Sequence, residues 1–421
     1  MTAGPRPVVM HVVLNLTPGG TERLVVEMAR RMAASIRAVV CCLEGAGPLA
    51  AELDEVGVPV IELHRRPGFR PSLGYRIARA ADAHGATVLH CHQYTPFVYG
   101  QIARSARRGL RLVFTEHGRS TDGPPSRKRQ LVNPFLARLP GKLYAVSEAL
   151  RADMTAEGWP AHRVGVIHNG IDPGPRVTDA ERAAARAYLG LPADAIVFGT
   201  AARLDPVKNL DGALEAFRIV QARAPGCRFV IVGDGPERAR LEHLARESGL
   251  AESVMFTGFR ADVRQLLPAF DAYVNSSVYE GVSLTLLEAM AASLPAVATA
   301  VGGTPEVVTV DTGLLVPARA PDTLAGAMLV LAVSPERRAA LGAQARRRVE
   351  MLFSVERMVA RYLEIYGITS HPTAEEVAAG ADFGPRQRAI SGVAEPTSRD
   401  ETPPVAADAG QRFAQMAPTR E

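Results

Sequence analysis

The chain is predicted to be α/β, with two Rossmann-like domains in tandem, each a doubly wound parallel sheet wrapped by helices. Three observations predict this. Short apolar runs alternate with helical periodicities along most of the chain. That is the pattern of right-handed βαβ crossovers, which build a parallel sheet between two helical layers. A cluster of breakers, Asn169-Gly170-Ile171-Asp172-Pro173-Gly174-Pro175, interrupts the alternation near its middle and reads as an interdomain link. With 421 residues, 47% of them hydrophobic, the chain is long enough for two or three cores.

The first strand, residues 8–14, ends at the turn Thr17-Pro18-Gly19-Gly20. A helix follows, with Leu24, Val25, Met28, Ala29 and Met32 at helical spacing. Further strands are expected at 38–43, 58–63, 87–90, 111–115, 143–146 and 164–167, so that 1–171 is the first domain and 172–194 the linker. The second domain, 195–352, opens with a strand at 195–200 and continues at 228–232, 253–256, 272–274, 296–299 and 313–316. Helices lie between these strands, as at 212–223 and 236–247, and long helical periodicities run from 335 to 366. From about Ser370 the composition turns to Ala, Pro, Gly, Thr and charge with no apolar period, so 369–421 is expected to be a disordered tail.

A formal charge of +4 is too small to argue for nucleic acid. The four cysteines, Cys41, Cys42, Cys91 and Cys227, form no Cys-x-x-Cys pair, which fits a reducing compartment without a zinc ribbon or disulfide framework. No apolar run reaches the roughly 18 residues of a membrane helix, and residues 1–7 lack a signal-peptide core. A cytoplasmic protein is expected, at most peripheral to the inner face of the cell membrane. One segment bears on that contact. Arg104, Arg107, Arg108, Arg111, Arg119, Arg127, Lys128, Arg129, Arg138 and Lys142 are opposed there by Glu116, Asp122 and Glu148. With Leu131, Val132, Phe135 and Leu136 interleaved, the segment suits an anionic lipid surface. The same pattern also fits an ordinary solvated helix with its core stripe.

The chemistry centres on residues 279–292, Tyr-Glu-Gly-Val-Ser-Leu-Thr-Leu-Leu-Glu-Ala-Met-Ala-Ala. Gly281 gives a turn, Ser283 is an N-cap, and a helix should open at Leu284. Glu280 then sits at the carboxyl edge of the sheet, and Glu288 about one turn into the helix. The free N–H groups of Gly281, Val282, Ser283 and Leu284 suit a phosphate, and two carboxylates suit the hydroxyls of a ribose and a sugar. Together they point to a nucleotide sugar. Gly19 and Gly20 open the first helix and let backbone approach an anion, although a plain tight turn explains them as well. Arg203 and Lys208 follow the first strand of the second domain, where paired cations would offset charge growing on a diphosphate leaving group. Gly258, Phe259 and Arg260 end another strand and could take a flat base. His117 ends a strand facing the cleft. His90 and His92 offer a zinc pair for which no third ligand is evident. No Asp-x-Asp occurs.

Glu280, seven residues, Glu288 resembles the Glu-x7-Glu signature of the retaining glycosyltransferases of family 4. Other matches follow the family's order: Gly19-Gly20-Thr21-Glu22, Thr115-Glu116-His117-Gly118, His168-Asn169-Gly170-Ile171-Asp172, Arg203 with Lys208, Gly233-Asp234-Gly235-Pro236 and Gly302-Gly303-Thr304-Pro305-Glu306. The resemblance covers roughly residues 8–368. It implies a GT-B architecture, with the donor bound mainly by the second domain, the acceptor by the first, and a final helix, 353–368, crossing back. It implies no metal and no cofactor beyond the nucleoside diphosphate sugar that serves as co-substrate. By position, Arg203 and Lys208 would hold the diphosphate, Glu288 the ribose and Glu280 the transferred sugar. His117 would lie by that sugar, Gly20 behind the phosphates, and Gly258–Arg260 along the base. Ala202 and Ala300 stand where the family often has Gly and Asp. The implied partners are a nucleotide-sugar donor, a glycan or lipid-linked acceptor, and an anionic membrane surface, with no nucleic acid. Glu116-His117-Gly118-Arg119 together with the basic segment is similar to members that build bacterial exopolysaccharides. A sugar-nucleotide epimerase on the same fold and a non-catalytic glycan- or membrane-binding member are the alternatives.

Overall fold

The computed structural model describes residues 6–118 and 123–368; the expected tail at 369–421, and Arg119 and Asp122 of the basic segment, lie outside them. Apolar runs such as Val-Val-Met-His-Val-Val at 8–13 are buried on both faces, as central strands of a parallel sheet must be. Seven strands make the first sheet: β1 (Val8–Val13), β2 (Arg37–Cys42), β3 (Val60–Glu62), β4 (Val88–His92), β5 (Arg111–Glu116), β6 (Lys142–Ala145) and β7 (Val164–Val166). They run parallel in the order β3-β2-β1-β4-β5-β6-β7. Six make the second: β8 (Ile196–Ala201), β9 (Cys227–Val232), β10 (Val254–Gly258), β11 (Ala272–Asn275), β12 (Ala296–Thr299) and β13 (Gly313–Val316). Their order is β10-β9-β8-β11-β12-β13, again parallel. Each order reverses once, between β1 and β4 and between β8 and β11. The carboxyl ends at such a reversal open the crevice in which α/β sheets bind ligands.

The segment 172–194, expected as a linker, contains the helix Asp179–Tyr188, opened by a capping box between Thr178 and Glu181. It is fastened to the second lobe. Arg182 and Arg186 each donate at 2.6 Å to one oxygen of Asp271, and the Val197 N–H donates to the same carboxylate at 2.7 Å. The periodicity at 335–366 divides into the helices Pro335–Leu352 and Val355–Ile365. The second lies on the first lobe, as the resemblance implied. Ile171 exchanges backbone hydrogen bonds of 2.9 Å with Phe353 and Val355, and Arg31 meets Glu356 at 3.0 Å. Tyr362 and Tyr366 are buried beside β4 and β5.

The helix Arg127–Leu136 is turned opposite to an ordinary amphipathic helix. Its polar Asn133 is buried, accepting from Tyr94 Oη and donating to the Glu157 carbonyl, each at 2.8 Å. Leu131 and Phe135 are 73% and 68% exposed. The core-stripe reading of these side chains is therefore corrected. Arg127, Lys128 and Arg138 are exposed around them, and the Arg138 guanidinium lies 5.3 Å from the Phe135 ring centre. Among the described residues no helix is long and apolar enough to cross a membrane. All four cysteines are free and buried.

Candidate active site at the two switch points

The reversal in the second sheet gathers most of the anticipated residues. Beyond β8 come Arg203 and a short turn, Pro206–Lys208; beyond β11 comes the loop that carries Glu280. The two connections are tied together. The Val278 N–H donates to the Val207 carbonyl and Ser276 Oγ to the Lys208 carbonyl, both at 2.8 Å. Lys208 Nζ donates to Glu280 Oε1 at 2.6 Å, and Ser277 Oγ to the same oxygen at 2.7 Å. Glu280 is buried, so its charge is matched inside the protein. Ser283 caps the helix Leu284–Ala291 as expected. Thr285 ties that helix to the end of β8 through a 2.8 Å bond to the Ala201 carbonyl. Arg203 is exposed and pairs with Asp205.

The first sheet presents its own reversal to the same space. Gly19 caps the helix Gly20–Arg31 with no side-chain bond of its own, and the Glu22 carboxyl sits at the helix start. A methyl group on Gly20 would lie 3.9 Å from Leu284, so the glycine turn faces the helix opened by Ser283. A side chain at Gly281 would collide with the His117 carbonyl, and one at Gly118 would come within 3.7 Å of the Gly281 nitrogen. Glycine at 281 is thus what lets the Glu280 loop reach His117. Burial raises the Glu22 carboxyl, while its own backbone N–H and the Arg203 charge pull it down. Burial likewise raises Glu288, against Arg264 and Arg23.

Further bonds join the lobes around this point. Glu306 accepts from the first N–H groups of the helix Glu148–Ala156, those of Glu148 and Ala149, at 2.9 and 3.0 Å, and pairs with His168 at 2.9 Å. Tyr279 Oη donates to Asp153 at 2.8 Å, and Asn169 to the Val282 carbonyl at 3.2 Å.

Gly258–Arg260, expected along the base, lie at the end of β10 and just after it. Arg260 is held by Asp262 at 2.6 and 2.7 Å and by Tyr188 Oη at 2.7 Å. Phe259 is exposed, and the Arg238 guanidinium lies 3.0 Å from where a Gly258 side chain would begin. A cavity of about 600 Å³ lies between residues 173–188 and the second lobe, with Tyr188, Asp262, Arg264 and Glu288 on its wall. Of the anticipated site residues it takes in Glu288 and neither Lys208, Glu280, Arg203 nor His117.

The histidines correct one expectation. His11 stands in register with His90 on the neighbouring strand, and ligand nitrogens of His11, His90 and His92 lie within 4.8 Å of one another. A third histidine is therefore present where none was evident. His11 and His92 stack with centroids 5.4 Å apart, and His90 lies tilted against His92 at 4.0 Å. Their nitrogens are engaged as well. His90 is bonded to Tyr366 Oη at 2.6 Å and Thr115 Oγ1 at 2.8 Å. His92 bridges His11 at 3.1 Å and His117 at 3.0 Å.

Sequence reasoning also passed over four groups. Arg264 stands 3.8 Å from Glu288, and Ser277 bonds Glu280. Glu116 is buried beside His117 with its carboxyl pushed up to about 7 by desolvation, against the Arg129 charge and the N–H groups of His117 and Gly118. Gln93, directly after His92, has φ 72° and ψ 167°, a region that glycine alone occupies freely. Its position after a strand end carried no signal beyond that.

Comparison with known proteins identifies the family and the fold. Residues 18–174 match the family model for Glycosyltransferase Family 4, and residues 181–348 that for Glycosyl transferases group 1. The putative glycosyltransferase EpsF of Bacillus subtilis is 28% identical over 308 residues, covering 69% of this chain and 78% of that protein. A D-inositol 3-phosphate glycosyltransferase of Saccharomonospora viridis is 33% identical over 302 residues, covering 66% and 69%. Among solved structures, Anabaena Alr3699/HepE in complex with UDP-glucose superposes with a TM-score of 0.77 at 24% identity, covering 86% of this chain and 99% of that one. The fold is accordingly GT-B.

Proposed function

The chain belongs to glycosyltransferase family 4 and transfers a sugar from a nucleotide sugar, and from that premise we propose a retaining, metal-independent hexosyltransferase. Its donor is a UDP- or GDP-linked hexose, and its acceptor is a hydroxyl of a glycan or lipid-linked sugar in cell-surface or extracellular polysaccharide synthesis. The observation that carries this is the meeting of the two switch points, where Gly20 faces Leu284 and the Glu280–Gly281 turn touches His117. Arg203, Lys208 and the N–H groups after Gly20 and Ser283 supply positive charge for a diphosphate. Glu288 receives the ribose hydroxyls and Glu280 those of the sugar, with His117 beside it. Gly258, Phe259 and Arg260 line the base. The sugar leaves and is captured on one face: the bond from C1 to the phosphate oxygen breaks, the acceptor oxygen bonds C1, and its proton passes to the departing phosphate oxygen.

Relatives support parts of this. EpsF is a putative glycosyltransferase, and HepE is described in complex with UDP and glucose. The outward Leu131, Val132 and Phe135, ringed by Arg127, Lys128 and Arg138, support an acceptor carried at an anionic membrane.

The test is a donor screen by thermal shift, followed by transfer assays and NMR of the product's anomeric proton. One donor should raise the melting temperature, and the product should keep the donor's anomeric configuration. Arg203→Ala and Glu288→Ala should each lower turnover at least about tenfold, since one preorganised contact contributes about 2.7–4 kcal/mol. Near-normal turnover in both would remove the site. Epimerisation of the donor without acceptor would replace the function.

A further inference from the structure

Two buried imidazoles, His11 and His92, and the half-buried His117 form a chain that ends at the proposed sugar site. His11 Nδ1 lies 3.1 Å from His92 Nε2, and His92 Nδ1 lies 3.0 Å from His117 Nε2. The two end atoms, His11 Nε2 and His117 Nδ1, are buried without a hydrogen-bond partner among the described residues. The chain is also braced from the side. The His90 ring lies tilted against His92, centroids 4.0 Å apart, and is itself fixed by Tyr366 and Thr115, with Tyr362 Oη 3.0 Å from Thr115 Oγ1. The final helix thus clamps these rings from outside the first sheet.

Elementary counting then limits what the chain can do. Desolvation keeps the rings neutral, with His11 held down to about 4, His117 to about 3, and His90 and His92 well below the ordinary range. Each neutral ring has one N–H, so three rings share three protons across two N···N contacts, and both contacts are satisfied only if all three N–H groups point the same way. Pointing inward leaves a buried N–H on His11 Nε2 with nothing to accept it. Pointing outward leaves only a lone pair there and moves the orphan N–H to His117 Nδ1, at the half-buried end of the chain; an orphaned N–H is the rarer defect in folded proteins, and only at that end can the oxygen of a bound sugar accept it. The chain is no proton wire, because its inner end leads nowhere. It sets a direction instead.

We propose that His92, and His11 behind it, are positioning residues that hold His117 as the Nδ1–H tautomer, a neutral hydrogen-bond donor to an oxygen of the transferred sugar. The proposal rests on the reading of His117 given above, but its test does not. The full chain, with isotope-labelled histidine, is examined by long-range proton–nitrogen NMR, and the His117 signals are identified with His117→Gln. In the ligand-free protein His117 should carry its proton on Nδ1. In His92→Phe it should revert to the Nε2–H form that free histidine prefers. In His92→Gln, whose amide can accept from His11 and donate to His117, Nδ1–H should persist. In transfer assays His92→Phe should lower kcat roughly 3- to 10-fold, the worth of one neutral hydrogen bond, with donor KM changed less than about twofold. His92→Gln should recover most of that loss. A wild-type His117 protonated on Nε2, or one still protonated on Nδ1 in folded His92→Phe, overturns the proposal. Should His92→Phe fail to fold, the wild-type spectrum alone decides. Because the spectrum needs neither donor nor acceptor, an absence of transfer alongside the expected tautomer would count against the function and not against the chain.

Discussion

Glu116 should make this protein less stable as the pH rises toward neutrality, and Glu116→Gln should remove that loss. The carboxyl is 6% exposed, at the end of β5, and desolvation outweighs the help it receives from Arg129 and the N–H groups of His117 and Gly118. It keeps its proton in the folded state to about pH 7, against an ordinary 4.5. The sign follows. With the folded value raised, the group's favourable contribution is complete below the unfolded value and is lost as pH climbs through the folded one. At about 1.4 kcal/mol per pH unit the whole loss is about 3 kcal/mol. Glutamine keeps an oxygen for the two N–H groups and cannot ionise. The stability of Glu116→Gln relative to wild type should therefore improve steadily between about pH 4.5 and about pH 7 and level off above. Urea unfolding of both proteins at matched pH values measures this. The buried histidines titrate alike in both chains and cancel in the difference. A difference that stays flat within about 0.5 kcal/mol across that window would refute the burial argument.

Four further outcomes are expected. Because His11, His90, His92 and His117 are held neutral, each takes up a proton on unfolding below its ordinary value, so stability is full above about pH 6.5 and should fall by as much as about 5 kcal/mol per unit as the pH drops; an uptake of under one proton in pH-dependent melting would contradict it. Asp271→Ala strands the buried Arg186 and should cost about 3–5 kcal/mol in urea unfolding, part of it recovered in the double variant with Arg186→Met. Gln93→Gly relieves backbone strain of about 1–3 kcal/mol, less about 1 kcal/mol of added chain entropy, so its melting temperature should rise, whereas Gln93→Ala should gain nothing. Leu131→Asp with Phe135→Asp should weaken sedimentation with anionic liposomes at low salt by at least about tenfold, given roughly 1.5–3 kcal/mol per buried apolar side chain; failure of the wild-type protein to sediment would remove the membrane contact.

Local features of the chain were legible because local physics decides them. The apolar runs at 8–14 and 195–200 read as buried parallel strands and fold as β1 and β8. Ser283 caps its helix because its hydroxyl can satisfy an N–H that the first turn leaves free. The breakers at 169–175 suggest an interdomain link over 172–194, and that stretch contains a helix whose capping box, Thr178 and Glu181, lies just beyond them. Strand periodicity could say that His11 and His90 are each inside. It could not say that they are neighbours, since their contact depends on β1 and β4 pairing in parallel register across 79 positions of sequence. The same holds for Lys208 and Glu280, each legible by motif, whose ion pair requires the β8 and β11 connections to meet at the switch point.

For the helix Arg127–Leu136 the sequence left two readings, an outward apolar face and a core stripe, and the core stripe fails for a reason that bears on function. A period-based reading assigns the inward face to the apolar side chains, on the premise that burying Leu131 and Phe135 is worth more than burying an amide. Here Asn133 takes the interior because Tyr94 and the Glu157 carbonyl satisfy it there, so its burial carries little of the usual penalty. Pro134, within the same helix, removes one backbone donor, and Arg129 is held over the Tyr94 ring and paired with Glu157 at 3.0 Å. The outward apolar face is thus fixed by specific partners and not left over from poor packing. A fold that spends three polar anchors on keeping Leu131 and Phe135 in contact with solvent loses their burial energy in the free protein. The proposed contact with an anionic membrane would recover that loss, its apolar interior taking Leu131 and Phe135 and its charge meeting Arg127, Lys128 and Arg138.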